Sequence, residues 1–490
     1  MDKHKGLDIA VTARAGTASE QEVNLATLDV WLVDLAMSNV TKRSLVAKDE
    51  ALEYYACIMA PMHEYHGDGD SAYEFSHDNN VSQLVADKDF DGDTFTMHIL
   101  THRLQCLFSS RRIAPRYGVM PELKPLWARL FNLISIVIQK LNLCIATPDV
   151  PLKALRYIRK LMYTELCFAV PSWRAHAEGF GALIKSYSYG LSELLSPQFR
   201  IVQYPLLVAS MCNTTSPPND QIEHMSNWSD DDIVIAYGHT GSHSFPCPTA
   251  VFQAMIRITY LRTLVAANKN APEWEGVARE AYAKIQSVDP HRWGEAYPTD
   301  DDIYILAARV YQASVALYAI LALPSRLAAV FTFPLRGEEH MATTADASIA
   351  KTSSGTSDGH DQSTISDGVD VEGLQHKQRD KLGLVHAALE EDSSQTARVR
   401  YRSRLFRLFR QATLELPESG GLMWPSAVLG VALQDHKEEQ AILLDHIGYL
   451  RGWPESENGA TCLYDKLVMF WGSGKKHWDQ CFYEPTSVMT

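Results

Sequence analysis

Apolar residues recur along most of this chain at the three-and-four spacing of one helical face, and the strict alternation that marks a strand is nearly absent. The spacing predicts helices over 24–37 and 48–60. It predicts more over 95–109, 121–143, 150–170, 172–188 and 190–212, then 249–268, 273–286 and 300–323, and finally 397–414, 424–449 and 459–472. Pro61, Pro115, Pro121, Pro148, Pro151 and Pro171 fall between these stretches, where a proline stops or starts a helix. Helices joined by short loops predict an all-α fold, an array of packed antiparallel helix pairs forming one large helical domain. No strict repeat period is present, so no solenoid is expected.

One stretch organises this reading, Pro171 to Gly190. Ser172 can cap the helix, and Trp173, Phe180, Leu183, Ile184 and Tyr187 line one stripe of it. Gly179 and Gly181 lie inside the helix, where each costs about 1 kcal/mol against alanine. Two such glycines point to another helix pressed against that face. The stretch therefore reads as a central helix packed on both sides and stopped by Gly190. A ligand pocket, in this reading, lies between helices near Trp173.

Polar stretches divide the array. Residues 1–23 read as a disordered lead-in, His63–Asp93 as a polar connection, and 213–248 as a long polar loop. Residues 340–396 are rich in Ser, Thr, Asp, Gly and His and cannot bury enough apolar surface to order themselves. The expected organisation is a helical domain over 24–339, a disordered insertion over 340–396, the rest of the domain over 397–482, and a tail over 483–490.

Composition narrows the classes. The chain has 490 residues, a hydrophobic fraction of 46% and a formal net charge of −14. An acidic surface disfavours unassisted binding to a phosphate backbone, though it leaves room for a local basic patch. The eight cysteines lie at least nineteen residues apart, with no C-x-x-C, which excludes a zinc finger or zinc cluster in this sequence. Most sit among apolar residues and read as buried reduced thiols of a cytosolic or nuclear protein. The N-terminus carries no apolar signal-peptide core, and the run Val310–Leu323 reads as a buried helix too short to span a bilayer.

Trp173, His176, Gly179, Leu183 and Ile184 form W-x-x-H-x-x-G-x-x-x-L-I. Leu422, Met423, Trp424, Pro425, Gly430 and Ala432 form a second block, followed by a helix ending at Ile447–Leu450 and then by Trp471 and Trp478. Leu52, Tyr54, Tyr55 and Pro61 precede both. In this order, over most of residues 48–482, the pattern resembles the fungal-specific transcription factor domain, the all-helical regulatory region of zinc-cluster transcription factors. The six-cysteine DNA-binding cluster of that family is missing, since the first cysteine is Cys57. The resemblance implies a nuclear transcriptional regulator, of the kind that controls a secondary-metabolite gene cluster. It implies action through a protein partner, such as a DNA-bound zinc-cluster factor or the transcription apparatus, and in some members a small-molecule effector. With Met1 at its start, the sequence reads either as a protein that borrows its DNA contact or as the regulatory part of a longer chain. The resemblance supplies no shared catalytic, cofactor, metal or DNA-binding residue to carry over. The rival readings are a helical scaffold or effector-binding protein and, less favoured, a helical enzyme.

Several constellations invite chemistry, and each has a plainer reading. Asp87, Asp89, Asp91, Gly92 and Asp93 resemble half of an EF-hand loop, but position 12 is His98 and not the bidentate Glu that calcium needs. An acidic turn is the favoured reading. His239, His243 and Cys247 are four apart, yet Gly241 and Pro246 break any helix that would align them on zinc. His63 and His66 are one residue short of a zinc-protease spacing. His176 reads as a structural histidine bonded to a neighbouring helix. Asp230–Asp232 and Asp300–Asp302 read as loop or cap positions, not as a magnesium motif. Arg398, Arg400, Arg402, Arg404, Arg407 and Arg410 crowd one helix whose buried stripe is expected to be Tyr401, Leu405, Leu408 and Ala412. A solvated face is favoured there over a contact with an acidic partner or a phosphate backbone.

Overall fold

The computed structural model describes residues 91–110, 117–147, 151–168, 173–186, 200–222, 228–237, 245–267, 273–295, 301–332, 394–415, 420–451 and 457–488. The predicted helices over 24–37 and 48–60 lie outside these residues, as do residues 1–23, most of the polar connection before Asp91 and nearly all of 340–396. Within the described residues the fold is all-α, with no strand. The helices are α1 (Gly92–Ser110), α2 (Lys124–Ala146), α3 (Pro151–Cys167), α4 (Trp173–Ser186), α5 (Arg200–Thr214), α6 (Asp230–Tyr237), α7 (Thr249–Ala266), α8 (Glu273–Ser287), α9 (Pro290–Gly294) and α10 (Asp301–Ala322). They continue as α11 (Ser325–Ala328), α12 (394–415), α13 (Met423–Ala432), α14 (Lys437–Leu450), α15 (Glu457–Ser473) and α16 (Trp478–Cys481).

The first part of the array is built on α3, which packs against α1, α2, α4 and α5. Leu100, Leu104 and Phe108 of α1 meet the stripe Leu126, Leu130, Leu133, Val137 and Leu141 of α2, all buried. Asp91 starts α1. Its side chain accepts the Asp93 amide at 3.0 Å and its carbonyl accepts the Thr94 hydroxyl at 2.8 Å, as an N-cap does.

The second part is centred on α10 and α13. Helix α10 packs against α7, α8 and α13. All ten residues of α13 are buried, a helix without a polar face. Close packing explains Gly430, because a Cβ there would stand 2.5 Å from Leu467 Cδ1 of α15. The stripe on α12 is Ala397, Tyr401, Leu405, Phe409 and Ala412, with Leu408 only partly buried.

The structure corrects three expectations. The helix over 424–449 is two helices, α13 and α14, broken at Leu433–His436, where Gln440 Nε2 donates to the carbonyls of Leu433 and Gln434 at 2.7 and 2.8 Å. A side chain that caps both carbonyls removes the cost of ending α13 in the interior. The supposed polar loop over 213–248 contains α6, and Asn213 to Ser216 are buried. Helix α4 is not packed on both sides by the described residues. Trp173, Ala177, Phe180 and Ile184 are buried, whereas Ala175, Gly179 and Ala182 are exposed, and a Cβ at Gly179 would meet nothing within 4 Å. The burial expected of α4 belongs instead to α10 and α13.

Candidate functional site

An open groove of about 330 Å³ runs between α2 and α4, with Ile158 of α3 between them. Leu141 and Ile145 form one wall, and Ala175, Gly179, Ala182 and Leu183 the other. It lies beside the helix that begins at Trp173, where the spacing expected a pocket. Its polar side chain is His176, whose Nε2 sits 3.2 Å from Glu165 Oε1 on α3. The bond spans two helices, as expected of a structural histidine. Glu165 is buried, and its Oε2 has no hydrogen-bond partner. A carboxylate behind an imidazole orients the ring. Among the described residues, no serine, threonine or cysteine lines the groove to serve as a nucleophile for that ring.

Arg174, next to the groove-lining Ala175, reaches a second feature. It donates to the Asp220 carbonyl at 2.6 Å and pairs with the Asp220 carboxylate at 2.9 Å. Asp220 lies on the exposed side of the turn that follows α5, whose residues Asn213 to Ser216 and Ile222 are buried. The end of any helix leaves carbonyls without partners, and burial makes them costly. Here the carbonyls of Thr214, Thr215 and Ser216 are met by donors on Arg262, Trp478 and Thr486, and further bonds hold the turn around them. Arg262 of α7, 2% exposed, donates to the carbonyls of Thr214 and Ser216 at 2.9 and 2.6 Å. The Trp478 indole donates to the Thr214 carbonyl at 2.6 Å, and the Trp424 indole to the Thr214 hydroxyl at 2.8 Å. Thr215 and Thr486 exchange two bonds, at 2.6 and 3.1 Å. Asn213 and Ile222 close the turn by bonding each other through both the amide and the carbonyl of Ile222.

The Arg262 charge is the largest cost in this hub. Burial opposes it, and Tyr318 at 3.0 Å and Asp479 at 2.7 Å reverse the balance so that the guanidinium holds its proton more firmly. Tyr318 also shares a hydrogen bond with Thr259 at 3.1 Å and packs edge-on against Trp424 and Trp478. Residues from α5, α7, α10, α13 and α16 thus meet at one ten-residue turn.

The other candidates have structural occupations. Asp91 and Asp93 both hold Lys140, at 2.7 and 2.6 Å, and Asp91 accepts the Tyr157 hydroxyl at 2.6 Å. Burial would raise the Asp91 pKa, but Lys140 and Tyr157 pull it below the usual value. His98 lies in α1 with its ring against Tyr163, and Asp87 and Asp89 lie outside the described residues. Asp230 pairs with Arg257 and Lys284, and Asp232 closes the N-terminus of α6, its carboxylate accepting the Ser229 amide at 3.0 Å while its own amide donates to the Ser229 hydroxyl at 3.1 Å. Asp302 is exposed in α10, and Asp300 lies outside the described residues. Cys247 is buried with its thiol pushed well up by desolvation, whereas His239, His243, His63 and His66 lie outside the described residues. The arginine run is divided. Arg400 donates to the Thr332 carbonyl, Arg402 contacts His436, and Arg407 and Arg410 are exposed. Burial, and then Arg402 alongside it, push the Arg398 guanidinium down. That half of the run is spent on packing.

The hub has no motif in the sequence. Its partners are separated by up to 271 positions, and Arg262, one of two arginines in the otherwise largely apolar α7, was its one legible sign. Compared with protein-family models, curated protein sequences and solved structures, the chain matches none.

Proposed function

We propose that this chain is the helical regulatory domain of a nuclear transcriptional regulator, of the kind it resembles in sequence, acting through protein contacts and not through catalysis. What supports this reading is the meeting of its two motif blocks. Arg174, a position that W-x-x-H leaves open, pairs with the exposed Asp220 towards one end of the turn after α5, and Trp424, 250 positions later, bonds the buried Thr214 at its other end. Of the residues that carry the resemblance, Trp173 and Ile184 of the first block and Leu422, Met423 and Trp424 of the second are buried in the same apolar core. A contact role also suits the acidic charge balance, which disfavours direct DNA binding and points to a DNA-bound partner protein such as a zinc-cluster factor. Control of a secondary-metabolite gene cluster and binding of a small effector remain parts of the same proposal.

Chromatin profiling of the tagged full-length chain tests it. Reproducible enrichment at a set of promoters is the expected result. Occupancy no greater than an untagged control would remove the transcriptional reading and leave a helical scaffold.

A further inference from the structure

The packed half of the arginine run on α12 holds two charges that no carboxylate answers. Arg398 and Arg402 stand one turn apart, which makes their side chains neighbours on one face of the helix. Both are partly buried, and among the described residues neither forms an ion pair. Arg402 contacts the His436 imidazole, and its Nε is buried without an acceptor. The Arg398 guanidinium has no hydrogen bond among the described residues, and both burial and the Arg402 charge weigh against it. Two like charges held together partly out of water repel each other, and an anion beside them removes that cost.

We propose that Arg398 and Arg402, beside the start of α14, hold a phosphate dianion, either inorganic phosphate or the phosphoryl group of a phosphorylated side chain. His436 is the N-cap of α14, and its contact with Arg402 brings the beginning of that 14-residue helix to the arginine pair. The positive end of the α14 dipole thus adds to the two guanidinium charges. The neighbouring carboxylates are otherwise disposed. Asp435 pairs with Lys476 at 3.3 Å and attracts Arg398 only through space. Glu438 and Glu439 lie in the first turn of α14, and Glu439 keeps a buried Oε2 without a partner, so it does not answer the arginines either. Phosphate suits the pair better than a carboxylate does. Each planar guanidinium can meet two oxygens side by side, a tetrahedral anion has oxygens for both groups, and a charge near −2 matches two arginines. A nucleic-acid backbone is a poorer match, because each diester carries one charge and the chain as a whole is at −14. The inference stands on α12 and α14 alone, independently of the transcriptional reading.

Calorimetric titration of the full-length chain at constant ionic strength tests it, with two probes: inorganic phosphate and a short peptide carrying phosphoserine. Saturable binding of one phosphate per chain is the expected result. Arg398→Gln and Arg402→Gln are each expected to weaken it about tenfold or more, the loss of a charge-assisted contact. Arg410→Gln, at an exposed arginine of the same helix, is expected to change nothing. The peptide separates the two sources. Tighter binding than inorganic phosphate assigns the site to a phosphorylated side chain, and binding no tighter assigns it to free phosphate. No binding of either probe by the parent chain would overturn the proposal, and that result requires no variant to fold. Binding that both Arg398→Gln and Arg402→Gln leave at full strength would overturn it as well, by placing the phosphate elsewhere.

Discussion

Helices α2 and α10 are similar in length and in apolar character, yet 22% of the most apolar window of one is buried against 83% of the other. The same contrast divides two glycine-bearing helices. Gly430 on α13 has a leucine side chain where a methyl would go, and Gly179 on α4 has nothing. Apolar composition says that a helix needs a neighbour. It does not say which neighbour, or how far along the chain that neighbour lies. Around α10 and α13 the neighbours are complete and a buried polar hub fixes their arrangement. Around α2 and α4 the described residues leave one side open.

Removing Arg262 attacks the sealed region where it costs most. Arg262→Met leaves the Thr214 and Ser216 carbonyls buried without that donor and frees Asp479 from its partner. A loss of about 3–5 kcal/mol is expected from urea unfolding followed by circular dichroism. A change under about 1 kcal/mol would mean that the hub is not part of the stable core.

The next largest effect is a pH dependence. His446 of α14 is buried edge-on against Phe409 of α12, and desolvation pushes its pKa down to about 4 from 6.5. The folded chain keeps it neutral, while the unfolded chain protonates it below 6.5. Stability is therefore unaffected above 6.5 and falls as the pH drops from 6.5 towards 4, by at most about 3 kcal/mol from this group. His446→Leu is expected to flatten the dependence of the urea midpoint between pH 6.5 and 5. An unchanged slope would show that His446 is not desolvated.

A matched pair of glycine substitutions sharpens the contrast directly. Gly430→Ala drives a methyl into Leu467 and is expected to cost about 1–3 kcal/mol. Gly179→Ala meets open space on an exposed helix face and is expected to be neutral or stabilising by up to about 1 kcal/mol. Thermal melts of the two variants with the parent chain decide it, and equal losses would erase the distinction between the two regions.

The parts of the fold legible in sequence are those set by local periodicity. Tyr401, Leu405 and Ala412 were readable as a stripe at helical spacing. Phe409 in place of Leu408 was a choice between neighbours that only the packing of α14 decides. The pocket position was legible because Trp173, His176 and Leu183 share a helix whose opposite faces differ in character. The break at Leu433–His436 was hidden because nothing in the local residues stops a helix there, and the cap comes from Gln440 on the next one. Asn213–Ile222 misled for the same physical reason in reverse. Its residues are polar, but donors from 46 to 271 positions away satisfy the backbone of its first residues, so Asn213 to Ser216 are buried where composition says surface.

That turn is where the account is most exposed to test. Native-state hydrogen exchange of the full-length chain, resolved by peptide, compares residues 213–222 with α10 and α13. The account predicts that the amides of Thr215 and Ile222, both bonded inside the core, exchange as slowly as those of α10 and only by global unfolding. Exchange as fast as an exposed loop, with α10 still protected, would contradict it and leave the two motif blocks without a common core.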